Sequence, residues 1–304
     1  MCISLDYHTQ VFMINHVAII GLGLMGGSLG LALRRNPGMR VSGYARREET
    51  RHLALECGAV DDVFDDPAKA VRGAQLTVIC TPTGRIVSMA KACLEGLAPG
   101  SVVTDVGSAK EEVVWQMDDL FDGRRVAFVG SHPIAGSERQ GLEAADADLY
   151  RGALVVVTQS ALTNIDALSL TEAFWAGLGA RVQRMTPDEH DRLLASTSHL
   201  PHLAAALVAT TVGRHLPDQA GILCGTGFWD TTRVAEGDPT MWHDILQTNQ
   251  LAILEELIAL QGNLVDMTMA LAKSDFEEVR RLLEDARDRR RALAEQGKNG
   301  HANT

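Results

Sequence analysis

Short β-branched apolar runs alternate with longer amphipathic stretches from Val17 to about Thr158. This alternation is typical of βαβ units around a parallel sheet, because the crossover helices cover both faces of the sheet. It predicts a doubly wound α/β domain whose ligands lie beyond the carboxyl ends of the strands. The predicted strands are 16–20, 40–44, 76–80, 101–105, 126–130, 153–158 and 181–185, and the predicted helices are 25–35, 48–56, 67–71, 84–94, 110–121, 142–145 and 166–178.

The strand pattern stops at Pro187, and the remainder of the chain has helical periodicity. The predicted helices there are 188–214, 219–226, 239–271 and 274–296. The sequence therefore predicts two domains, a sheet domain over residues 1–186 and an all-helical domain over 187–304. We expect residues 1–14 to be a short extension and residues 297–304 to be a disordered tail.

Composition narrows the class of protein. The chain has 304 residues, 46% of them apolar, and a formal charge of -11. Because phosphate-backbone binders need a cationic face, we expect no nucleic-acid partner. Five cysteines without a CxxC pair predict neither a disulfide framework nor a zinc knuckle. The N-terminus lacks a signal-peptide pattern and no apolar stretch is long and uncharged enough to span a bilayer, so we expect a cytoplasmic protein without a membrane partner.

A glycine-rich turn, GLGLMG, directly follows the first predicted strand and precedes a helix. Gly21 would form the tight turn, Gly23 would allow the backbone to approach a pyrophosphate, and Gly26 would allow close packing of helix on strand. The pyrophosphate would meet the positive end of the helix dipole, which lets an acidic protein bind an anion. The motif predicts a Rossmann-like dinucleotide site that includes Leu24 and Met25. An ordinary tight turn is the alternative.

The end of the second predicted strand bears on the choice of cofactor. An acidic residue usually binds the adenosine ribose of NAD at this position. Here Ala45 occupies the position, and Arg46 and Arg47 follow. The absence of a repelling acid and the presence of two guanidinium groups favour NADP over NAD. The alternative is that both arginines are solvated charges.

The predicted strand 76–80, which ends at Cys80, leads into a second candidate cofactor segment. Thr81 and Pro82 follow it, where a doubly wound fold places the nicotinamide side of a dinucleotide. They are candidate cofactor-wall residues. An ordinary strand-to-helix turn is an equal alternative.

His132 is the candidate catalytic base. Hydride transfer from a carbinol needs a group that accepts the hydroxyl proton, and a histidine titrates in the required range. His132 follows the predicted strand 126–130, and Pro133 restricts the backbone beside it. Ser108 closes the neighbouring strand region and would orient the imidazole or bind the substrate. A buried, satisfied histidine is the alternative for His132.

The helical half contains two further candidate segments. In SHLPH, His199 and His202 lie on one helix face, but neither an HExxH motif nor a cysteine pair supports zinc, so we expect no metal. In FWDTTR, Arg233 would hold a carboxylate bidentately and Asp230 would orient it. An internal ion pair is the alternative for these two residues. Trp242 is a candidate substrate-wall residue, with a core position as its alternative.

Taken together, the motifs GLGLMGGSLGLAL, DVGSAK, GSHPIAGSE, SHLPH and FWDTTRVAEGDPTMW resemble the prephenate/arogenate dehydrogenase family of tyrosine biosynthesis. The resemblance runs from about Val17 to about Leu271. It implies oxidative decarboxylation of prephenate to 4-hydroxyphenylpyruvate with hydride transfer to a nicotinamide cofactor. Arogenate dehydrogenase or a dual-specificity cyclohexadienyl dehydrogenase is the alternative within the family. The resemblance, with the long apolar helix 239–271, also implies a homodimer joined through the helical domain.

Carried onto this sequence, the resemblance makes His132 the proton acceptor, assisted by Ser108. His199 and Arg233 would contact the small-molecule substrate, and Asp230 would support Arg233. Two other hypotheses for the function are a β-hydroxyacid dehydrogenase and a nucleotide sensor without turnover. The first needs a helix with a catalytic lysine, and none is found in the sequence. Ser137 and Glu138 follow the catalytic motif and are candidate contacts to the substrate side chain, where an acid would favour the ammonium group of arogenate.

Overall fold

The computed structural model describes residues 14–136, 139–215 and 220–302. Within them a parallel six-stranded sheet has the order β3-β2-β1-β4-β5-β6. Its strands are His16–Ile20, Arg40–Tyr44, Asp62–Phe64, Leu76–Ile79, Val102–Asp105 and Ala127–Val129. Helices α1 to α6 are Leu24–Leu33, Glu48–Glu56, Pro67–Ala70, Ile86–Cys93, Glu111–Phe121 and Ile165–Gly177. The predicted doubly wound fold is confirmed, and the predicted bounds of β1 and β2 are exact.

Alternation along β1 shows why the sheet is covered on both faces. Val17 and Ile19 belong to one buried apolar cluster, whereas Ala18 and Ile20 belong to another. Successive side chains of a strand point to opposite faces, so a fully apolar strand needs a core on each side. The same arrangement brings the carboxyl ends of β1, β2, β4 and β5 to one edge.

A second, smaller sheet has the order β7-β8-β9 and comprises Ser131–Ile134, Leu154–Thr158 and Arg181–Met185. The sequence pattern missed β7 and also β3, and it assigned 153–158 and 181–185 to the main domain without separating a sheet. β7 runs antiparallel to β8 and contains Pro133. A proline is tolerated because β7 is an edge strand. The predicted helix 142–145 is a short 3-10 turn, Leu142–Ala144.

From Pro187 onward, each described element is helical. Helix α7 (Pro187–Leu194) continues through a π-helical turn (Ala195–His199) into α8 (Leu200–His215). Then follow α9 (Ala220–Leu223), α10 (Thr226–Thr232), a 3-10 turn (Arg233–Glu236), α11 (Pro239–Thr248), α12 (Gln250–Ala272) and α13 (Phe276–Ala302).

The predicted single helix 239–271 is wrong, because it breaks at Asn249. This residue has φ -123° and ψ 35°, which are not helical angles, and it ends α11. Its side chain is buried and bonded to distant groups rather than exposed on a helix surface. Tertiary hydrogen bonds therefore override the helical periodicity at this position.

The described residues form two compact units, divided between Gln250 and Leu251. The predicted domain boundary at residue 187 lies inside the first unit and stays a prediction. In the second unit, α13 continues to Ala302, where the sequence predicts a disordered tail from residue 297. Among the described residues, no helix combines the length and apolar character needed to cross a bilayer.

Candidate active site

The glycine-rich turn has the geometry that a dinucleotide requires. Gly21 has φ +109°, and a Cβ there would lie 2.6 Å from the carbonyl oxygen of Cys80. A Cβ on Gly26 would overlap the carbonyl oxygen of Gly21, so the helix can approach the strand only with glycine here. At Gly23, which precedes α1, a Cβ would face open space. The turn therefore leaves a cradle at the helix N-terminus into which a pyrophosphate would fit.

The remaining predicted cofactor residues lie around the same sheet edge. Leu24 and Met25 open α1, and the carbonyl of Met25 accepts a hydrogen bond from the Tyr150 hydroxyl at 2.7 Å. Thr81 follows β4 and has a buried hydroxyl without a protein partner. An orphaned buried hydroxyl beside the glycine turn fits a ligand with hydroxyl or amide groups. Pro82 is exposed next to it.

At the end of β2, Ala45 is buried while Arg46 and Arg47 are exposed. The Arg51 guanidinium turns back from α2 and donates to the carbonyl oxygens of Ala45 and Arg46 at 3.0 and 2.9 Å. Three guanidinium groups are thus associated with this strand end, and Ala45 supplies no carboxylate.

A buried ion pair anchors the strand that carries His132. Asp105, at the end of β5, pairs with Lys110, and both side chains have no exposed area. The other carboxylate oxygen of Asp105 accepts a hydrogen bond from the backbone N–H of Ser131 at 3.0 Å. Removal of either charge would leave the other buried and unpaired, which is strongly destabilising. The pair therefore fixes the start of β7 against the end of β5.

His132 is linked to two residues that sequence reasoning did not select. Its Nδ1 lies 2.8 Å from Nε2 of His190, and Nδ1 of His190 lies 2.6 Å from Oδ1 of Asp191. Asp191 also accepts hydrogen bonds from the backbone N–H groups of Lys110 and Glu111 at 2.8 and 2.9 Å, at the N-terminus of α5. His190 and Asp191 are fully buried, whereas His132 is partly exposed.

The pKa of His132 is held well below 6.5, chiefly by desolvation and further by the neighbouring His190, Lys110 and His199. These surroundings disfavour the imidazolium form. His132 is therefore neutral at pH 7, with one ring nitrogen able to accept a proton.

A second group of aromatic and amide side chains adjoins this chain of residues. The Asn249 amide Nδ2 lies 3.3 Å from Nδ1 of His199, whose pKa burial lowers to about 4. The Trp242 indole meets His199 edge-on at 6.0 Å and stacks on His202 at 3.5 Å. His199 is thus a buried neutral histidine held between Asn249 and Trp242, and Trp242 is packed against both histidines.

The other predicted substrate residues lie in different parts of the fold. The Ser108 hydroxyl lies 3.3 Å from that of Thr83, whereas it is His190 that contacts Nδ1 of His132. Asp230 lies in helix α10, whose start is closed by hydrogen bonds from the N–H groups of Phe228 and Trp229 to the Gly225 carbonyl. Arg233 follows in the 3-10 turn and is exposed. Ser137 and Glu138 lie outside the described residues.

Sequence signals for His190, Asp191 and Asn249 existed but were local and weak. Thr186 and Glu189 form a capping box around Pro187, which fixes the start of α7 just before His190 and Asp191. Asn249 interrupts an apolar helical run. Neither signal indicates that His190 contacts His132 of β7 or that Asn249 contacts Asp191. Within the described part of the chain, no group of three or more His, Cys, Asp or Glu side chains could hold a metal ion.

A Rossmann-like sheet with a glycine cradle and a neutral histidine beyond the strand ends is typical of nucleotide-dependent oxidoreductases. Family models show which group of oxidoreductases this chain is similar to. Residues 29–184 match the nucleotide-binding domain of prephenate dehydrogenase, and residues 186–285 match its dimerization domain. The chain belongs to the prephenate dehydrogenase family and is an oxidoreductase.

Curated relatives agree over most of the chain. It is 33% identical to the cyclohexadienyl dehydrogenase of Zymomonas mobilis, across 92% of this chain and 96% of that protein. It is 32% identical to the prephenate dehydrogenase of Bacillus subtilis, across 91% and 76%.

Solved structures give the same result. Aquifex aeolicus prephenate dehydrogenase in complex with hydroxyphenyl propionate and NAD+ has a TM-score of 0.84 at 29% identity, covering 92% of this chain and 98% of that one. Synechocystis arogenate dehydrogenase has a TM-score of 0.80 at 29% identity, covering 91% and 99%. A 3-hydroxyisobutyrate dehydrogenase from Salmonella typhimurium, at 14% identity and a TM-score of 0.53, shares the fold alone.

Proposed function

We propose that this protein catalyses the oxidative decarboxylation of prephenate to 4-hydroxyphenylpyruvate. The observation that carries the proposal is the neutral, partly exposed His132, held beyond the strand ends in a chain that belongs to the prephenate dehydrogenase family. A nicotinamide cofactor supplies the hydride acceptor when it is bound. His132 accepts the proton of the ring hydroxyl, the ring carbon that bears this hydroxyl gives up hydride, and the bond from the ring to its carboxylate breaks to release CO2. Aromatisation of the ring favours this cleavage, so positioning and a base suffice.

The remaining site residues of the proposal bind or orient the substrate. Arg233 holds a substrate carboxylate, supported by Asp230, because a guanidinium binds carboxylates through two parallel hydrogen bonds. Ser108 contributes a hydroxyl at the strand end, beside Thr83. His199 and Trp242 form the apolar and aromatic part of the site. Ser137 and Glu138 are proposed contacts to the substrate side chain, and with them arogenate is the second candidate substrate.

We propose NADP as the preferred cofactor, bound at Gly21, Gly23 and Gly26. Ala45 places no carboxylate where the 2′-phosphate would lie, and Arg46 and Arg47 are exposed beside it. A 2′-phosphate adds charge-assisted hydrogen bonds to guanidinium groups that a 2′-hydroxyl cannot make. Thr81 and Pro82 line the nicotinamide side, where the Thr81 hydroxyl gains a partner.

We propose that the protein is a homodimer formed through its helical part. The second family model is that of a dimerization domain and begins at residue 186, which supports a domain boundary at 187. Several large apolar side chains of α12 are exposed, at 49–79% of their area in Leu251, Ile258, Leu264, Val265 and Met269. Such a concentration of exposed apolar groups is typical of an association surface.

Turnover with defined substrates tests the proposed reaction. The purified chain is mixed with prephenate or arogenate and with NAD or NADP, and the near-ultraviolet absorbance of the reduced nicotinamide is followed. We expect turnover with prephenate that is fastest with NADP. No turnover of prephenate with either cofactor would contradict the proposal, and faster turnover of arogenate would select the second candidate.

The His132→Asn variant tests the base. We expect kcat to fall about 10²-fold or more, as on removal of a general base. His52→Asn is the matched control, because His52 is exposed on α2 and pairs with Glu48 at 3.6 Å. Near-normal turnover of His132→Asn would disprove the assignment.

A further inference from the structure

The contacts of Asp191 determine where the protons lie on His190. A carboxylate is an acceptor only, and this one is surrounded by the N–H groups of Lys110 and Glu111 at the positive end of α5. The nitrogen of His190 that lies 2.6 Å from Oδ1 of Asp191 must then carry the hydrogen. In a neutral His190, Nε2 is consequently an acceptor.

The same reasoning extends one residue further. Nε2 of His190 lies 2.8 Å from Nδ1 of His132, so Nδ1 of His132 is the donor in this hydrogen bond. Nδ1 of His190 is committed to Asp191, so Nε2 is the atom of a neutral His190 that can accept a hydrogen bond. A neutral imidazole has a single N–H, and that of His132 is used by His190. Nε2 of His132 therefore has a free lone pair.

We propose that Asp191 and His190 are positioning residues that fix the tautomer of His132, so that Nε2 is the atom that accepts the substrate proton. This inference rests on the proposed function, in which His132 is the base. It adds two orienting residues, Asp191 and His190, which are fully buried behind His132. This arrangement is similar to a catalytic triad, in which a carboxylate orients the catalytic histidine, except that a second imidazole lies between the two groups.

The surrounding structure holds the chain rigid. The capping box of Thr186 and Glu189 fixes the first turn of α7, on which His190 and Asp191 lie. The Asn249 amide donates to the backbone carbonyl of Asp191 at 2.8 Å. β7 holds His132 by its pairing with Val156 of β8. All three members of the chain are thus on regular elements and not on free loops.

Nitrogen NMR of histidine-labelled protein reads the tautomer without turnover. The ring signals of His132 are assigned by their loss in His132→Asn. We expect Nδ1 of His132 to be protonated and Nε2 to be unprotonated at neutral pH. In His190→Phe, the acceptor for the Nδ1–H of His132 is removed, so the preference for this tautomer should be lost. Asp188→Asn, an exposed neighbour on α7, is the matched control and should leave the signals unchanged.

Kinetics give the second readout. Loss of the tautomer preference should lower kcat of His190→Phe by about tenfold or more, while KM changes little. His190→Gln keeps an acceptor for His132 and should retain at least about tenfold more kcat than His190→Phe.

Two results would overturn the inference. One is a wild-type His132 that carries its proton on Nε2. The other is a kcat of His190→Phe within about threefold of wild type although His132→Asn is inactive. A fully active His132→Asn would instead defeat the proposed function itself, so the two failures are distinguishable.

Discussion

The side chain of Asn249 bonds to the backbone carbonyl of Asp191 at 2.8 Å, although the two residues are 58 positions apart. We expect Asn249→Ala to lower the free energy of unfolding by about 1–3 kcal/mol, because it leaves a buried carbonyl without its donor. Chemical denaturation measures this. Gln247→Ala, exposed on the same helix segment, should change stability by less than about 0.5 kcal/mol. Equal stabilities of the two variants would show that the contact contributes nothing.

Gly23→Ala separates cofactor binding from folding. A methyl group at Gly23 meets open space in the protein, and φ -92° suits alanine, so the variant should fold normally. The methyl would stand where the backbone approaches the pyrophosphate, and KM for the cofactor should rise about tenfold or more. Gly213→Ala, also facing open space, is the control and should leave this KM unchanged. An unaltered cofactor KM in Gly23→Ala would argue against the cradle.

Ala45→Asp tests the proposed cofactor preference. An acid at the end of β2 would bind the ribose hydroxyls of NAD and repel a 2′-phosphate. We expect the ratio of kcat/KM with NADP to that with NAD to fall about tenfold or more. Ala45→Asn, which introduces a side chain of the same size as aspartate but without its charge, should shift the ratio less. A wild-type enzyme that prefers NAD would refute the preference directly.

Stability should fall in mild acid because of His199. The pKa of this buried histidine is about 4 in the folded protein and near 6.5 in the unfolded chain. Between these values the unfolded chain binds the proton first, so stabilisation present above pH 6.5 is lost as the pH falls towards 4, by up to about 3 kcal/mol. The lowered pKa values of His16, His132 and His202 act in the same direction.

Denaturation midpoints between pH 7 and 4 measure this loss. His199→Gln should flatten the profile, whereas the exposed His52→Gln should retain the wild-type slope. If His199→Gln and wild type lose stability in parallel, another group is responsible.

Strong local patterns predicted the elements that dominate the fold. β1 is an apolar run, and β2 contains the apolar Val41 and Tyr44, so the limits of both strands follow from the sequence alone. β3 has three residues, all half-buried, and offers too short a pattern. β7 contains Pro133, which counts against a strand unless its edge position is known.

The candidate site likewise contains some residues that a local pattern predicts and others that it does not. His132 was selected because it follows a recognisable strand and belongs to a specific motif. His190 and Asp191 lie in the first turns of a helix with no unusual local pattern. Asp191 bonds to Lys110 and Glu111, which are 80 or more positions away, and His190 bonds to His132, which is 58 positions away. The apolar helical pattern on both sides of Asn249 predicts a continuous helix and gives no indication of a break at this residue. Long-range hydrogen bonds have no local periodicity from which they could be predicted.

The geometry of the π-helical turn Ala195–His199 limits which changes in chain length this protein can accept during evolution. Such a turn contains one residue more than a regular α-helical turn, and each residue rotates a helix by about 100°. Deleting one residue here would preserve both flanking helices but swing His199 and His202 away from Trp242 relative to His190 and Asp191. The length of the chain between Asp191 and His199 is consequently as much a determinant of the site as the side chains themselves, and single-residue deletions there should be selected against.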